Sequence, residues 1–179
     1  MPRAYGLMKP FIYPYKGIWP KIADSAYIAP GVVICGDIEI GPETSIWPGC
    51  VLRGDVNIIR VGARTNIQDG SVVHVTEGGQ GTHIGNNVTI GHMVLLHDCT
   101  LDDHAFIGMK SAVIDKARVQ SFAMLGAGAL LTQGKVVPSG QLWIGNPAKY
   151  WRDLKPEEKQ EIERRAPHYV KLGQAYLKA

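Results

Sequence analysis

The chain has 179 residues, of which 45% are hydrophobic, and it carries a formal net charge of +3. This length suits one domain with a sizeable core. The charge is small and forms no dense basic cluster, which argues against a nucleic-acid partner, and no apolar run is long enough to span a membrane. An odd number of cysteines and a first segment unlike a signal peptide favour a reducing, cytoplasmic location.

Residues 1–21 are rich in proline, tyrosine and glycine and are predicted to form an extended lead-in. From residue 22 onward, a branched aliphatic residue recurs every six positions, with three interruptions of the period. The members of this column are Ile22, Ile28, Ile34, Ile40, Ile46, Leu52 and Ile58, then Val61, Ile67, Val73, Ile84, Ile90, Leu96, Leu101, Ile107, Val113, Val119, Leu125, Leu131 and Val137, with Trp143 in the last position.

A period of six fits neither an amphipathic helix nor simple strand alternation. It is typical of a chain that makes a short extended stretch, turns a corner and repeats, burying one aliphatic side chain per side. Glycine, proline and asparagine near the marked positions suit such corners. We therefore predict an all-β solenoid over residues 22–147, with an outward loop at 76–82. The side chains predicted to face inward include Ile28, Ile40, Leu52, Ile67, Ile90, Ile107 and Leu125.

The pattern changes after Pro147, and residues 148–179 are predicted to form a helical tail that packs on the solenoid. The segment Pro156–Arg165 has helix formers, with acidic residues in its first turn and basic residues in its last. Pro167 is predicted to break or kink the helix before a second helical stretch begins.

Polar residues are concentrated in segment 53–97. The position directly after each inward aliphatic residue is often glycine or alanine, but in this segment larger polar side chains replace them. A cluster of this kind on a repetitive scaffold marks a candidate site. The replaced positions hold Arg53, Gln68, His74 and His97, and the polar residues beside them are Asp55, Asn66, Asp69 and His92.

Three histidines in this segment, His74, His92 and His97, suggest a metal site. Three neutral imidazoles plus one open position are typical of a catalytic zinc centre. Spacing alone leaves surface or corner roles equally open. His92 and His97 lie five residues apart, and a corner between them would turn their side chains onto different faces. One coil could therefore serve one metal with both residues only awkwardly.

Several motifs together resemble the γ-class carbonic anhydrases, which are hexapeptide-repeat proteins with a left-handed parallel β-helix. The resemblance extends from about residue 17 to the C-terminus. The motifs are Leu52-Arg53-Gly54-Asp55, Asn66-Ile67-Gln68-Asp69-Gly70, Val73-His74-Val75, Ile90-Gly91-His92 and Leu96-His97.

The resemblance implies a zinc enzyme that converts CO2 to bicarbonate. His74, His92 and His97 would be the metal ligands, with iron or cobalt as possible replacements for zinc. Metal-bound hydroxide would attack CO2, since zinc lowers the pKa of its water from about 15.7 to near 7. Gln68 would hydrogen-bond and orient that water. The family assembles as a homotrimer, in which His74 and His97 come from one chain and His92 from the next.

The same resemblance assigns roles to five further residues. Arg53 and Asp69 would form an ion pair between subunits. Asp55 and Asn66 would line the pocket, and Tyr169 would reach it from the C-terminal helix.

Two features depart from the family pattern: Val56 stands where the archaeal prototype has a glutamate, and the short 76–82 loop stands where it has a long acidic loop. Glu77 is the sole carboxylate of the 76–82 loop, and nothing in the sequence aligns it with the prototype's proton shuttle.

Two alternative functions therefore remain open. One is a metal-binding hexapeptide-repeat protein with weak or different activity. The other is an acyltransferase that uses acyl-coenzyme A, as many hexapeptide-repeat proteins do.

Overall fold

The computed structural model describes residues 9–178 as a parallel β-solenoid of about seven turns followed by one α-helix, α1, at Pro156–Leu177. The fold confirms the predicted β-solenoid with a C-terminal helix. The strands in chain order are β1 Phe11–Tyr13, β2 Lys21–Ile22, β3 Tyr27–Ile28, β4 Val33–Ile40, β5 Ser45–Ile46, β6 Val51–Val61, β7 Asn66–Ile67, β8 Val72–His74, β9 Thr82–Ile84, β10 Thr89–Ile90, β11 Leu95–His97, β12 Thr100–Leu101, β13 Phe106–Ile107, β14 Ala112–Val113, β15 Arg118–Val119, β16 Met124–Leu125, β17 Leu130–Leu131, β18 Val136–Val137, β19 Gln141–Ile144 and β20 Lys149–Asp153.

The coils stack to give three faces. Face 1 is a separate sheet, in the order β20-β19-β16-β13-β10-β7-β5-β3. Faces 2 and 3 share β4 and β6, which bend around a corner. The first part of β6 pairs with β8 on face 2, and its last part pairs with β9 on face 3. Face 2 continues through β11, β14 and β17, and face 3 continues through β12, β15 and β18.

The interior is filled by the aliphatic column. Six of the seven side chains predicted to face inward are buried: Ile40, Leu52, Ile67, Ile90, Ile107 and Leu125. The seventh, Ile28, lies in the first coil and is half-buried against the same core. Each coil therefore contributes one large apolar side chain per face, as the period of six predicts.

Replacing Ile107 with alanine should destabilise the fold by about 2–5 kcal/mol, because a fully buried side chain leaves a cavity that stacked coils cannot collapse. Denaturant unfolding measures this loss. The matched control is Ile18→Ala, since Ile18 is 50% exposed, and it should cost no more than about 0.5 kcal/mol. Equal stability losses in the two variants would contradict the inward assignment of Ile107.

One member of the predicted column is wrong. Ile59, not Ile58, faces the interior, and Ile58 is only half-buried. The register explains the error, because Gly36 pairs with Gly54 but Ile38 pairs with Ile59. The coil of β6 is therefore longer than the coil before it, and its extra residues bulge outward at the corner between faces 2 and 3. The bulge includes Asp55.

Many glycines after inward residues are required by coil-to-coil contact and not by turn geometry. A Cβ on Gly62 would lie 2.7 Å from the carbonyl carbon of Gly85, and one on Gly108 would lie 2.4 Å from the nitrogen of Ala127. Left-handed backbone occurs elsewhere in the coil and is often taken by other residues, as at Lys110 and Lys116 (φ 57° and 61°). Glycine thus avoids a Cβ clash at these positions, whereas Gly31 and Gly128 adopt left-handed backbone (φ 77° and 69°).

The predicted break at Pro167 is also wrong, because α1 continues through this residue. A proline leaves the carbonyl four residues earlier without its helical hydrogen bond. Here Glu163 and Pro167 lie on the exposed side, where water can solvate that carbonyl. The opposite side holds the helix on the solenoid through the buried residues Ile162, Ala166 and Gly173.

Strand β20 pairs antiparallel with β19 and extends face 1 into the segment predicted to be helical. Its Arg152 donates two hydrogen bonds to Glu158 in the first turn of α1, at 2.7 and 2.8 Å. Glu158 also accepts a hydrogen bond from the backbone nitrogen of Lys155 at 2.8 Å. The hydrogen bonds from Arg152 are the main cause that lowers the pKa of Glu158 from 4.5 to about 2.

Arg152→Ala should therefore lower the thermal stability at near-neutral pH but have little effect in strong acid. The depressed pKa means that this carboxylate stabilises the fold above pH 4.5, and the contribution is lost as pH falls through about 2. Thermal unfolding of both proteins across this window measures the difference. Equal melting temperatures at neutral pH would show that the Arg152–Glu158 ion pair does not stabilise the packing of β20 against the helix.

The cysteines and the helix complete the description of the fold. Cys35, Cys50 and Cys99 are buried and unpaired. In the described part of the chain, no helix is long and apolar enough to cross a membrane. The cytoplasmic location stays a prediction.

Candidate metal centre

Two of the predicted ligands, His74 and His97, end adjacent strands of face 2. They are paired in register on β8 and β11, and their ring centroids lie 5.3 Å apart at an interplanar angle of 47°. Both follow a buried aliphatic residue, so the repeat directs both side chains outward at the same corner. The stacking of coils thus brings together two imidazoles that are far apart in sequence.

A carboxylate from the bulge in β6 joins this corner. The Oδ1 atom of Asp55 lies 3.0 Å from Nε2 of His74, while Arg53 donates a hydrogen bond of 2.6 Å to its Oδ2 atom. Partial burial raises the pKa of Asp55, but the hydrogen bonds from Arg53 and His74 outweigh it and leave the pKa below its ordinary value. Asp55 is therefore a carboxylate that can orient His74.

His97 has an equivalent partner that the sequence-based analysis missed. Its Nδ1 atom lies 2.9 Å from Oδ1 of Asp115, which also accepts a hydrogen bond of 3.0 Å from the Thr76 hydroxyl. Asp115 lies 18 residues after His97, which is the length of a regular coil. That spacing could have identified it. We call the group of Arg53, Asp55, His74, His97 and Asp115 half-site A.

The third predicted ligand, His92, lies at a different corner, where the chain turns from face 1 to face 2. Its Nδ1 atom is 2.9 Å from Oδ2 of Asp69 in the neighbouring coil. Gln68, directly before Asp69, is buried and donates from Nε2 to Oδ1 of Asn66 at 3.0 Å. The Asn66 amide in turn donates to Thr89 Oγ1 at 3.1 Å. In this chain of amides the Gln68 nitrogen is used as a hydrogen-bond donor to Asn66. The Gln68 side-chain oxygen therefore remains available as a hydrogen-bond acceptor.

Tyr169 reaches the same corner from α1. It packs edge-on against Trp47, with ring centroids 5.6 Å apart. It lines a cavity of about 300 Å³ together with Gln68 and His92. Burial raises the pKa of Tyr169, Asp69 raises it further, and Arg165 opposes both. We call the group of Asn66, Gln68, Asp69, His92 and Tyr169 half-site B.

The two half-sites are separate within one chain. Half-site B lies where the chain enters face 2, and half-site A lies where it leaves. Among residues 9–178, no group of three or more histidine, cysteine or acidic side chains is arranged to hold a metal ion. Arg53 pairs with Asp55 in its own chain. The intersubunit pair of Arg53 with Asp69 stays a prediction.

The three candidate ligands share one feature. Each has a ring nitrogen 2.9–3.0 Å from a carboxylate oxygen, of Asp55, Asp69 or Asp115. Within the described residues, the other histidines have no such contact: for example, His83 faces the Gln80 carbonyl and His104 stacks on Phe122. Histidines that bind metals usually have a carboxylate or carbonyl partner that fixes the ring and its tautomer.

Comparison with known proteins identifies the family. Residues 20–54 match the family described as Bacterial transferase hexapeptide (six repeats). "Gamma carbonic anhydrase 1, mitochondrial" of Arabidopsis thaliana is 46% identical, covering 88% of this chain and 59% of that protein. "Carbonic anhydrase" of Geobacillus kaustophilus is also 46% identical, covering 92% of this chain and 90% of that protein. The chain belongs to the γ-class carbonic anhydrase-like family.

A solved structure shows that the similarity of this γ-class carbonic anhydrase-like chain to known proteins extends to its fold. A hexapeptide transferase family protein from Anaplasma phagocytophilum superposes with a TM-score of 0.90 at 48% identity. The match covers 93% of this chain and 98% of that one. The chain spans about 59% of the length of the plant relative.

Proposed function

We propose that this chain forms a homotrimer in which half-site A of one subunit meets half-site B of the next and holds a metal ion. Zinc is the proposed metal, with iron or cobalt as alternatives. The observation that carries the proposal is the division of three carboxylate-paired histidines between two corners of one subunit. A contact between copies of the chain can complete a site that neither corner contains alone.

The residues present suit such an ion. Asp55 contacts Nε2 of His74, and Asp115 contacts Nδ1 of His97. The other ring nitrogens, Nδ1 of His74 and Nε2 of His97, are therefore free to bind a metal ion. His92 of the adjacent subunit would be the third donor. Three imidazoles and one open position form a donor set that zinc accepts and that iron and cobalt also tolerate.

The surface between the two half-sites supports a subunit contact. Five outward side chains of face 2 form a column in register, and all five are aliphatic. Val72 and Leu95 are 38% and 41% exposed. A contiguous exposed apolar surface of this kind is stabilised when it is covered by another protein. The column consists of Val51, Val72, Leu95, Ala112 and Leu130.

The reaction that this arrangement supports best is the hydration of CO2 to bicarbonate. A bound metal ion supplies Lewis acidity that makes water nucleophilic at neutral pH. The Gln68 oxygen, oriented through Asn66, would accept a hydrogen bond from the attacking water and align its lone pair. Asp55, Asp69 and Asp115 would hold the three imidazole rings in place.

Metal analysis combined with a hydration assay tests the proposal. Purified protein loaded with zinc should hold about one ion per subunit and hydrate CO2, and a chelator should remove both properties. Iron or cobalt should restore them in part. Failure to bind any of the three metals would overturn the proposal. Metal binding without hydration would instead favour a metal-binding protein with weak or different activity.

A further inference from the structure

The cavity beneath α1 is larger than hydration of CO2 requires. It encloses about 300 Å³ and extends from Gln68 and His92 along face 1. One water molecule occupies about 30 Å³ of liquid volume, so the cavity has room for roughly ten groups of that size. Most of its wall is apolar and is formed by side chains such as Phe106, Met109 and Met124. Such a wall suits an organic group and not a hydrated ion.

A cationic side chain, Arg165 of α1, lines this apolar space. Its Nη2 atom pairs with Glu161, and Arg164 pairs with the same carboxylate. Two guanidinium groups thus share one carboxylate, which leaves a net positive charge. Asp69, the acidic residue near Tyr169, is already engaged by His92.

The Arg165 guanidinium also has an unused donor. Its Nε atom is buried and has no hydrogen-bond partner among residues 9–178. A buried hydrogen-bond donor on a charged group destabilises the fold when it has no acceptor. Native proteins therefore rarely contain such a donor. An anionic ligand in the cavity would neutralise the charge, and it would satisfy this donor once the Arg165 side chain turns toward the cavity.

We propose that this cavity binds a small organic carboxylate, with its carboxylate group against Arg165 and its apolar body against Phe106 and Met124. A planar guanidinium matches a carboxylate in both charge and geometry. His92 borders the cavity, but the group that would bind the anion is Arg165, which belongs to neither half-site. Binding should therefore not require the metal. This ligand class goes beyond CO2 and bicarbonate, which have no apolar body to fill the space.

The unmodified protein gives the first test. Benzoate and benzamide have nearly the same shape and differ in charge. Calorimetric titration should show benzoate binding about tenfold or more tightly than benzamide, since both accept hydrogen bonds but only the anion neutralises the charge of Arg165. Equal affinities, or no benzoate binding at about 10 mM, would overturn the proposal.

A pair of arginine variants gives the second test. Arg165→Gln should reduce benzoate affinity about tenfold, to the level of benzamide, and leave benzamide unchanged. Arg164→Gln is the matched control, because Arg164 shares Glu161 but is 69% exposed and does not line the cavity. It should change benzoate affinity by no more than about twofold. The same loss in both variants would overturn the assignment of Arg165.

A third variant keeps the test decisive if Arg165→Gln does not fold. Met109 lines the cavity yet is 53% exposed, so Met109→Glu can place a negative charge at the rim without burying it. It should weaken benzoate binding and spare benzamide, since only the anion is repelled. Unchanged benzoate binding in a folded Met109→Glu protein would count against the cavity as the site.

Removing the metal separates this inference from the proposed function. Benzoate affinity should be the same before and after treatment with a chelator. If benzoate binding disappears with the metal and is insensitive to Arg165→Gln, the carboxylate is a metal ligand and the inference fails while the metal site stands. If Arg165-dependent binding occurs in protein that takes up no metal, the proposed function fails and the inference stands.

Discussion

Replacing His92 with alanine should remove the bound metal and lower CO2 hydration by at least about two orders of magnitude. Loss of a residue that supports a metal ligand costs up to about a hundredfold, so loss of a ligand itself should cost at least that much. The subunit should keep its fold, because His92 is partly exposed at a corner and fills no part of the aliphatic core. Metal content per subunit and hydration by stopped flow measure the effect.

The matched control for this variant is His83→Ala. His83 lies on β9 in face 3, where one ring nitrogen contacts the Gln80 carbonyl at 2.9 Å. It belongs to neither half-site, so metal content and hydration should remain near those of the unmodified protein. Full retention of metal by His92→Ala would show that His92 is not a ligand, whatever the control does.

Arg53→Ala should loosen the proposed trimer before it alters the intrinsic affinity of the site for metal. Arg53 lies at the edge of face 2, nearly half exposed, and its fork geometry suits a second carboxylate from a neighbour. Removing one partner of an interfacial charge pair costs about 2–5 kcal/mol of association. Light scattering across a dilution series should therefore show smaller species at concentrations where the unmodified protein keeps the mass expected of the proposed trimer.

Arg60→Ala is the control for that experiment. Arg60 pairs with Asp37 at 2.8 Å on the face 3 side of β6, away from the apolar column. Its loss should leave the oligomer intact. A trimer that survives Arg53→Ala but loses its metal would reverse the assignment, and Arg53 would then act through Asp55 on His74.

The core of the fold could be predicted from the sequence because burial in a solenoid is repeated in every coil. An inward residue such as Ile67 or Ile107 depends only on its own coil and the two adjacent ones. The failures occur where coil length changes or where packing overrides local preference. The longer coil of β6 moved the inward position from Ile58 to Ile59, and tertiary contacts kept α1 continuous through Pro167.

Only part of the candidate site could be predicted from the sequence. The types and positions of His74, His92 and His97 suggested a metal, and the corner expected between His92 and His97 already set them on different faces. The coordinates add which partner each histidine contacts at its corner. Asp115 was missed although its spacing of one coil from His97 carried a signal. Arg165 had no such signal, because the register of α1 on face 1 is set by local fit. For example, a Cβ on Gly173 would lie 3.2 Å from the Tyr27 side chain.

A subunit-mixing experiment tests the central claim, that half-sites of different subunits form one metal centre. His74→Ala disables half-site A, and His92→Ala disables half-site B, so neither protein alone should bind metal at the site. After exchange, every mixed trimer contains one junction of two intact half-sites. Random mixing of equal amounts should then restore about a quarter of the metal bound by the unmodified protein.

The control mixes His74→Ala with His97→Ala, which both disable half-site A, and it should restore nothing. Exchange is verified with differently tagged subunits in both mixtures. Recovery of about a quarter of the metal in the first mixture and none in the second is the predicted result. Complete exchange without any recovery in the first mixture would contradict the account, because the three histidines would then have to act within one chain.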